Sequence, residues 1–231
     1  MYTVDCLDWP AATILVVPAT GAFTLSTDLA SIVRPGVVWW SGATVVDRAP
    51  ALDRLLADVE ARVRSRPPAD TVAVRTMYRR LGLDPTKTRP SNEALLRRVL
   101  KGNTFPRINA MVDVVNWCSV EFQLPYGLYD ASRIDGSVTM RLGRDREEYA
   151  GIRKDVVHVA GRIAVADDQG PFGNPTSDSA RTMVTTATTD ALVVVYAPVE
   201  VAVLKLERVL QATADRIAHA CGGQESARRV L

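Results

Sequence analysis

The sequence is poor in the residues that metal, thiol and histidine chemistry require: 231 residues include three cysteines and two histidines. Cys6, Cys118 and Cys221 lie far apart, are odd in number and show no paired spacing, so a structural zinc site is excluded and free, mostly buried thiols are predicted. His158 and His219 make no metal pair and are predicted to be structural or solvated. No metal or other cofactor is expected. No Gly-x-Ser-x-Gly elbow is present, which disfavours a Ser/His/Asp hydrolase. No apolar run approaches the ~18–20 residues of a membrane span, and the start Met1-Tyr2-Thr3-Val4-Asp5 lacks a basic region ahead of an apolar one. A cytoplasmic protein is expected. Internal repeats, low-complexity tracts and Pro/Gly/Ser-rich linkers are also missing, so residues 1–231 are expected to form one body.

What is present is an ordinary globular composition, 47% hydrophobic and 23% charged, with an uneven distribution of charge. The chain carries +2 overall, yet Arg75 to Arg107 holds nine Lys/Arg against two acids, a local excess of seven. That asymmetry predicts one face built to meet a polyanion, with nucleic acid as the first candidate.

Short β-branched runs predict strands at Thr13–Val17 and Gly36–Trp40, with a short helix capped by Ser26 between them. Leu52, Leu55, Leu56, Val59 and Val63 give residues 49–63 helical spacing, and Pro90-Ser91 opens a second helix with Leu95, Leu96, Val99 and Leu100 inside. Arg97, Arg98 and Lys101 fall on its outside, and Gly102 suits its end. Further strands are predicted at 137–142, 162–166 and 191–197, joined in one mixed sheet, and a long helix from Pro198 to Gly222-Gly223.

Two passages carry candidate chemistry. After Pro106, Ile108, Met111, Val112, Val115 and Ser119 mark one side of a helix, while Asn109, Asp113 and Asn116 share the other. Such short polar residues are poor helix formers, so three on one stripe imply either buried partners or a polar ligand. The second passage, residues 169–179, combines two glycines and two prolines with Asn174, Thr176, Ser177, Asp178 and Ser179. It reads either as a shaped ligand loop or as a well-capped turn.

Four segments in order, Pro85-Thr86-Lys87-Thr88-Arg89-Pro90-Ser91, Leu100-Lys101-Gly102-Asn103, Ile108 to Asn116, and Leu124-Pro125-Tyr126-Gly127-Leu128-Tyr129-Asp130, resemble the B3/B4 editing module of the phenylalanyl-tRNA synthetase beta subunit. The likeness spans roughly 75–198 and is closer to freestanding proteins made of that module alone. It implies an α/β (α+β) domain with a mixed, curved, barrel-like sheet flanked by helices. It also implies an aminoacyl-tRNA deacylase, a hydrolase acting in trans on a mischarged tRNA and unable to charge tRNA itself. A non-catalytic RNA-binding or small-molecule-binding module on the same fold is the alternative. Carried onto this chain, the resemblance makes Asn109, Asp113, Asn116, Gly127, Tyr129, Asp130, Asn174, Thr176, Ser177 and Asp178 the catalytic or substrate-pocket candidates. Arg79, Arg80, Lys87, Arg89, Arg97, Arg98 and Lys101 are the candidates for RNA phosphates. Synthetase-embedded modules carry a histidine where this chain has Gly127, a change expected either to enlarge the pocket or to let backbone approach the substrate.

Overall fold

The computed structural model describes residues 22–68, 72–152 and 156–231. The strand predicted at Thr13–Val17 and Cys6 lie outside them.

The described chain is a mixed α/β single domain. After β1 (Phe23–Leu25) and β2 (Val33–Ser41) come four helices, α1 (Pro50–Ser65), α2 (Val72–Arg80), α3 (Ser91–Leu100) and α4 (Ala110–Phe122). β3 (Tyr126–Asp130) leads through a 3-10 turn into β4 (Val138–Leu142), β5 (Glu148–Ala150), β6 (Val156–His158), β7 (Ile163–Asp167), β8 (Gly170–Gly173) and β9 (Ala191–Pro198). α5 (Val203–Cys221) and β10 (Gln224–Val230) complete the described chain.

The one mixed sheet expected from the sequence is divided. β4 and β7 belong to a four-stranded sheet ordered β1-β4-β7-β8, in which β1 and β4 run parallel, whereas β9 sits inside a second, antiparallel sheet ordered β10-β2-β9-β3. β5 and β6 form a separate ribbon. The described strands do not close into a barrel. Burial explains the division. β4 alternates, with Val138 and Met140 inside and Thr139 and Arg141 half-wet, so it covers the core with one face. All eight residues of β9 are buried, so this strand needs cover on both faces.

Helix positions follow the apolar spacing. Leu52, Leu56, Val59 and Val63 of α1 are buried, but Leu55, on the same predicted stripe, is exposed. α3 starts and stops as predicted, with Gly102 in a left-handed conformation after its last turn. Its inner face differs from the expectation. Leu100 is exposed, while Asn92 and Glu93 are buried and Glu93 receives a bidentate pair from Arg75, both contacts at 2.7 Å. α5 begins at Val203 rather than Pro198, because β9 runs through Pro198 and the next residues turn, Val199 N donating to Ile32 O. Its buried stripe, Leu206, Leu210, Thr213 and Ile217, packs on β2 and α4.

Two expectations fail locally. The segment from Ser26 to Ile32 is a chain of turns rather than a helix. Ser26 N is taken by Met140 O, and β2 already begins at Val33, leaving too few residues to nucleate a helix. Beyond Gly222-Gly223 the chain folds back as β10 against β2, Val230 opposite Gly36. Gly223 has φ +77° and lies against Ser41 O, a turn that a side chain would block. Polar composition hides this edge strand, whose sequence is Gln-Glu-Ser-Ala-Arg-Arg-Val.

Leu192, fully buried at the centre of β9, and Leu204, 60% exposed on α5, provide opposite tests of this packing. Urea unfolding is expected to show a loss of ~2–5 kcal/mol for Leu192→Ala and a change within about 0.5 kcal/mol for Leu204→Ala.

Candidate functional site

β3 is an edge strand, and the segment following β8 covers its free side. Leu128 N donates to Asp178 Oδ2 at 3.4 Å, and Asp130 N to Thr182 O at 2.9 Å. The start of that segment is a tight turn built on Asn174. Its Oδ1 accepts from Thr176 N (2.7 Å) and Ser177 N (3.0 Å), and its Nδ2 donates to the Tyr149 hydroxyl (2.8 Å). That hydroxyl donates in turn to Ser177 O at 2.5 Å. Thr176 Oγ1 lies 3.0 Å from Tyr78 Oη, and Pro175 O accepts from Ser91 N at the start of α3. The loop is therefore shaped, and held from α2, α3 and β5 at once.

Tyr129 fixes this loop against the antiparallel sheet. Its ring crosses Phe172 edge-on at 4.9 Å, and its hydroxyl lies 2.7 Å from that of Tyr196. The hydroxyl passes so close to Gly127 and Gly173 that a Cβ on either would overlap it. Gly127 thus opens no volume toward a ligand. The phenol of Tyr129 fills the space, and a histidine there would displace it.

On the other face of β3, Tyr126 and Leu128 wall a pocket of about 270 Å³, near the lower end of the ~300–1,000 Å³ typical of small-ligand sites. α4 contributes Val112, Val115 and Asn116, the segment before it Ile108, α3 contributes Ser91 and Leu95, and the loop contributes Thr176, Ser177 and Asp178. The lining is mainly apolar, yet Ser91 Oγ and Asp178 Oδ1 are buried in it without a hydrogen-bond partner among the described residues. Burial pushes the Asp178 carboxyl up to about 7, with the Tyr129 hydroxyl and the Leu128 N–H acting the other way. A carboxyl of that kind accepts hydrogen bonds when ionised and exchanges a proton near neutral pH.

The polar stripe of α4 is split. Asn109 caps the helix, its Oδ1 accepting from Val112 N at 3.0 Å and its Nδ2 reaching Val184 O. Asp113 accepts from Ile108 N (2.9 Å) and Arg107 Nε (3.0 Å). Both are buried away from the pocket. Asn116 alone lines it, beside the side of α4 that the sequence marks as apolar. Asp130 also serves the backbone, accepting from Ser132 N and from Thr188 Oγ1 at 2.7 Å. Gly127, Tyr129 and Asn174 support the loop, and Thr176, Ser177 and Asp178 reach the pocket.

The sequence gives no sign of Ser91, Met183 and Val184 as lining, because loop closure rather than periodicity brings them there. Cys118 and Cys221 are buried free thiols, as expected. His158 is exposed and faces Glu148 at 2.9 Å.

Thr176 and Ser177 also wall a second cavity, of about 320 Å³, on the far side of the loop, and Lys87 and Arg89 lie there. Arg79, Arg97 and Lys101 have no ion-pair partner among the described residues. Arg80 is paired with Glu200 at 2.6 Å, and Arg98 Nε donates to Thr104 O. No group of His, Cys, Asp and Glu among the described residues is arranged to hold a metal. No described helix is long and apolar enough to cross a membrane.

The structure is thus an α/β body whose loop parts an apolar pocket, holding one carboxyl, from a second cavity that carries Lys87, Arg89 and Arg162. The chain belongs to the B3/4 domain family, whose profile matches residues 73–219, more than half of its length. A stretch of 86 residues is 31% identical to the phenylalanine–tRNA ligase beta subunit of Brucella abortus (strain 2308), covering 37% of this chain and 11% of that subunit. The same subunit of Paramagnetospirillum magneticum is 34% identical over 65 residues, 28% of this chain and 8% of the subunit. The chain thus spans only about a tenth of the length of these relatives. A crystal structure of an N-terminal fragment of the phenylalanyl-tRNA synthetase beta subunit from Pyrococcus horikoshii aligns with a TM-score of 0.49. The identity is 11%, over 93% of this chain and 56% of the fragment.

Two outcomes are expected. Gly127→His, which drives a side chain into the Tyr129 hydroxyl, lowers stability by ~1–3 kcal/mol or more, read as a lower urea midpoint. The raised Asp178 carboxyl makes the native state hold a proton that the unfolded chain, with an ordinary value of about 3.9, has already released. Its contribution is full below about pH 4 and is lost as pH rises through about 7. Unfolding of wild type against Asp178→Asn across that range reads this as a growing disadvantage of wild type. Parallel curves would contradict the buried carboxyl.

Proposed function

We propose that this module hydrolyses the ester of a mischarged aminoacyl-tRNA in trans. The observation that carries the reading is Asp178, a buried carboxyl pushed up to about 7 whose Oδ1 is left without a partner in a mainly apolar pocket of amino-acid side-chain scale. Membership of the B3/4 family and the likeness to phenylalanine–tRNA ligase beta subunits support it. So does the excess of positive charge from Arg75 to Arg107, of which Arg79, Lys87, Arg89, Arg97 and Lys101 make no direct ion pair among the described residues.

In this reading the side chain of the wrongly attached amino acid enters among Leu95, Val112, Val115 and Leu128. Asp178, ionised, takes a proton from a water as that water's oxygen adds to the ester carbonyl carbon. The Asn116 amide and the Ser91 hydroxyl, which line the pocket, donate in this reading to the oxygen that gains charge. Breaking of the bond to the ribose oxygen, with return of the proton to that oxygen, releases free amino acid and uncharged tRNA. Asn109, Asp113, Asp130 and Asn174 act by holding α4, β3 and the loop in place. Action on tRNA fits a cytoplasmic protein.

The test is amino-acid release from a panel of correctly and incorrectly charged tRNAs. Selective release from one mischarged species is expected, with kcat reduced ~10²–10⁴-fold in Asp178→Asn, the range for loss of a general base. Asn116→Ala is expected to reduce release with the fold intact. Release from no species, while tRNA is still bound at low salt, would overturn the deacylase reading and leave a non-catalytic RNA-binding module.

A further inference from the structure

The half-buried arginines of this fold are, with few exceptions, neutralised. Arg75 meets Glu93, Arg107 meets Asp113, Arg141 meets Glu147, Arg181 meets Asp167 and Arg216 meets Glu121. Arg89 and Arg162 are half-buried as well, yet neither guanidinium has a hydrogen-bond or ion-pair partner among the described residues. Both line the 320 Å³ cavity beyond the loop, together with Lys87, and among the described residues no carboxylate lines it. Acids in that neighbourhood are engaged: Asp84 accepts from Thr86 N and Oγ1 at 2.8 and 2.7 Å, and Glu148 faces His158. Withdrawing guanidinium groups from water without an anion is costly, so three cations lining one concavity suit an anionic ligand.

Position narrows the ligand. The wall between this cavity and the apolar pocket is the pair Thr176 and Ser177, which line both. Arg162 is close enough to Tyr78 to act on its hydroxyl, and that hydroxyl meets Thr176 Oγ1 at 3.0 Å, so the cationic centre sits directly behind the loop. Leu81, Leu83 and Ile163 add an apolar surface to the same cavity, which suits a sugar or base rather than a bare inorganic ion.

We propose that this cavity is a nucleotide subsite in which Arg162, Arg89 and Lys87 hold the 5′ phosphate of the nucleotide whose ribose carries the ester in the neighbouring pocket. The identity of that nucleotide rests on the ester-hydrolysis reading; the anion site itself rests on the cavity. Bidentate donation by guanidinium groups matches the phosphate oxygens, with Lys87 as a point charge.

Calorimetric titration of the full chain with adenosine 5′-monophosphate at low salt tests the subsite. Binding is expected, with adenosine lacking the phosphate binding more weakly. Arg162→Gln and Lys87→Gln are each expected to weaken AMP at least about tenfold, the loss of one charge-assisted contact, while Arg162→Lys retains part of it. Lys205→Gln and Arg208→Gln, exposed on α5 and outside the cavity, are expected to change it less than about twofold. Equal affinity for adenosine and AMP, or AMP binding unchanged in Arg162→Gln, would overturn the subsite. The deacylation assay separates the two readings. Arg162-dependent AMP binding without any release of amino acid leaves the subsite standing and removes ester hydrolysis. Release whose KM is indifferent to Arg162→Gln removes the subsite and leaves hydrolysis.

Discussion

Tyr129 lies across two glycines that belong to different sheets, and the placement of both cavities depends on that contact. Gly127 is in β3 of the antiparallel sheet, Gly173 ends β8 of the mixed sheet, and the phenol occupies the space that a Cβ on either would need. The hydroxyl is satisfied by Tyr196 on β9, and the ring by Phe172 on β8. One side chain therefore ties the central strand of one sheet to the edge of the other. The turn that begins at Asn174 has no choice but to leave β8 beside β3, where Asp178 covers the Leu128 N–H. Burial of that carboxyl, and with it the raised affinity for a proton, is a consequence of the edge being covered.

The glycine at 127 illustrates what residue type alone conveys. From the sequence it signals either close approach of backbone or extra room, and the structure selects close approach, by Tyr129 rather than by a ligand. A side chain at that position and the Tyr129 phenol could not occupy the same space. Gly127 lies on the face of β3 away from the pocket, and the carboxyl that reaches the pocket, Asp178, comes from the loop.

Much of the architecture is legible in the sequence because it follows from spacing. Leu52, Leu56, Val59 and Val63 define α1, the uninterrupted run from Ala191 to Ala197 identifies a doubly covered strand, and the loop at 169–179 declares its shape through Gly, Pro and Asn. What spacing cannot convey is which strands share a sheet, since β4, β7 and β9 differ in cover rather than in local preference. β10 escapes notice because an edge strand on a polar surface needs no apolar alternation. The polar stripe of α4 shows the limit most clearly. Asn109, Asp113 and Asn116 are alike in type and face, but Asn109 answers the unpaired N–H groups of the helix start and Asp113 answers Arg107 and Ile108 N. Only the residue left over reaches the pocket, and that division depends on partners distant in sequence.

The same reasoning applies to charge. Nine cations within 33 residues read as one basic face, yet the fold spends several of them internally: Arg75 on Glu93, Arg80 on Glu200, and Arg107 on Asp53 and Asp113. Of those that remain, Arg79 lies on α2, Arg97, Arg98 and Lys101 lie on the exposed side and end of α3, and Lys87 and Arg89 line the cavity behind the loop. Arg162, from the strand side of the molecule and outside the basic segment, completes the cavity group. A polyanion bound only by exposed lysines and arginines is held without being positioned, since such contacts are screened and mobile. In the proposed subsite, cations set in a concavity that shares its wall with an apolar pocket would fix one phosphate at a set distance from whatever occupies the pocket. In the proposed hydrolysis of an already activated ester, placing the carbonyl carbon against a water and a carboxyl is the main contribution a protein can make. The loop from Asn174 to Asp178 lines both cavities, so on that proposal its hydrogen bonds to α2, α3 and β5 serve the chemistry as well as the fold.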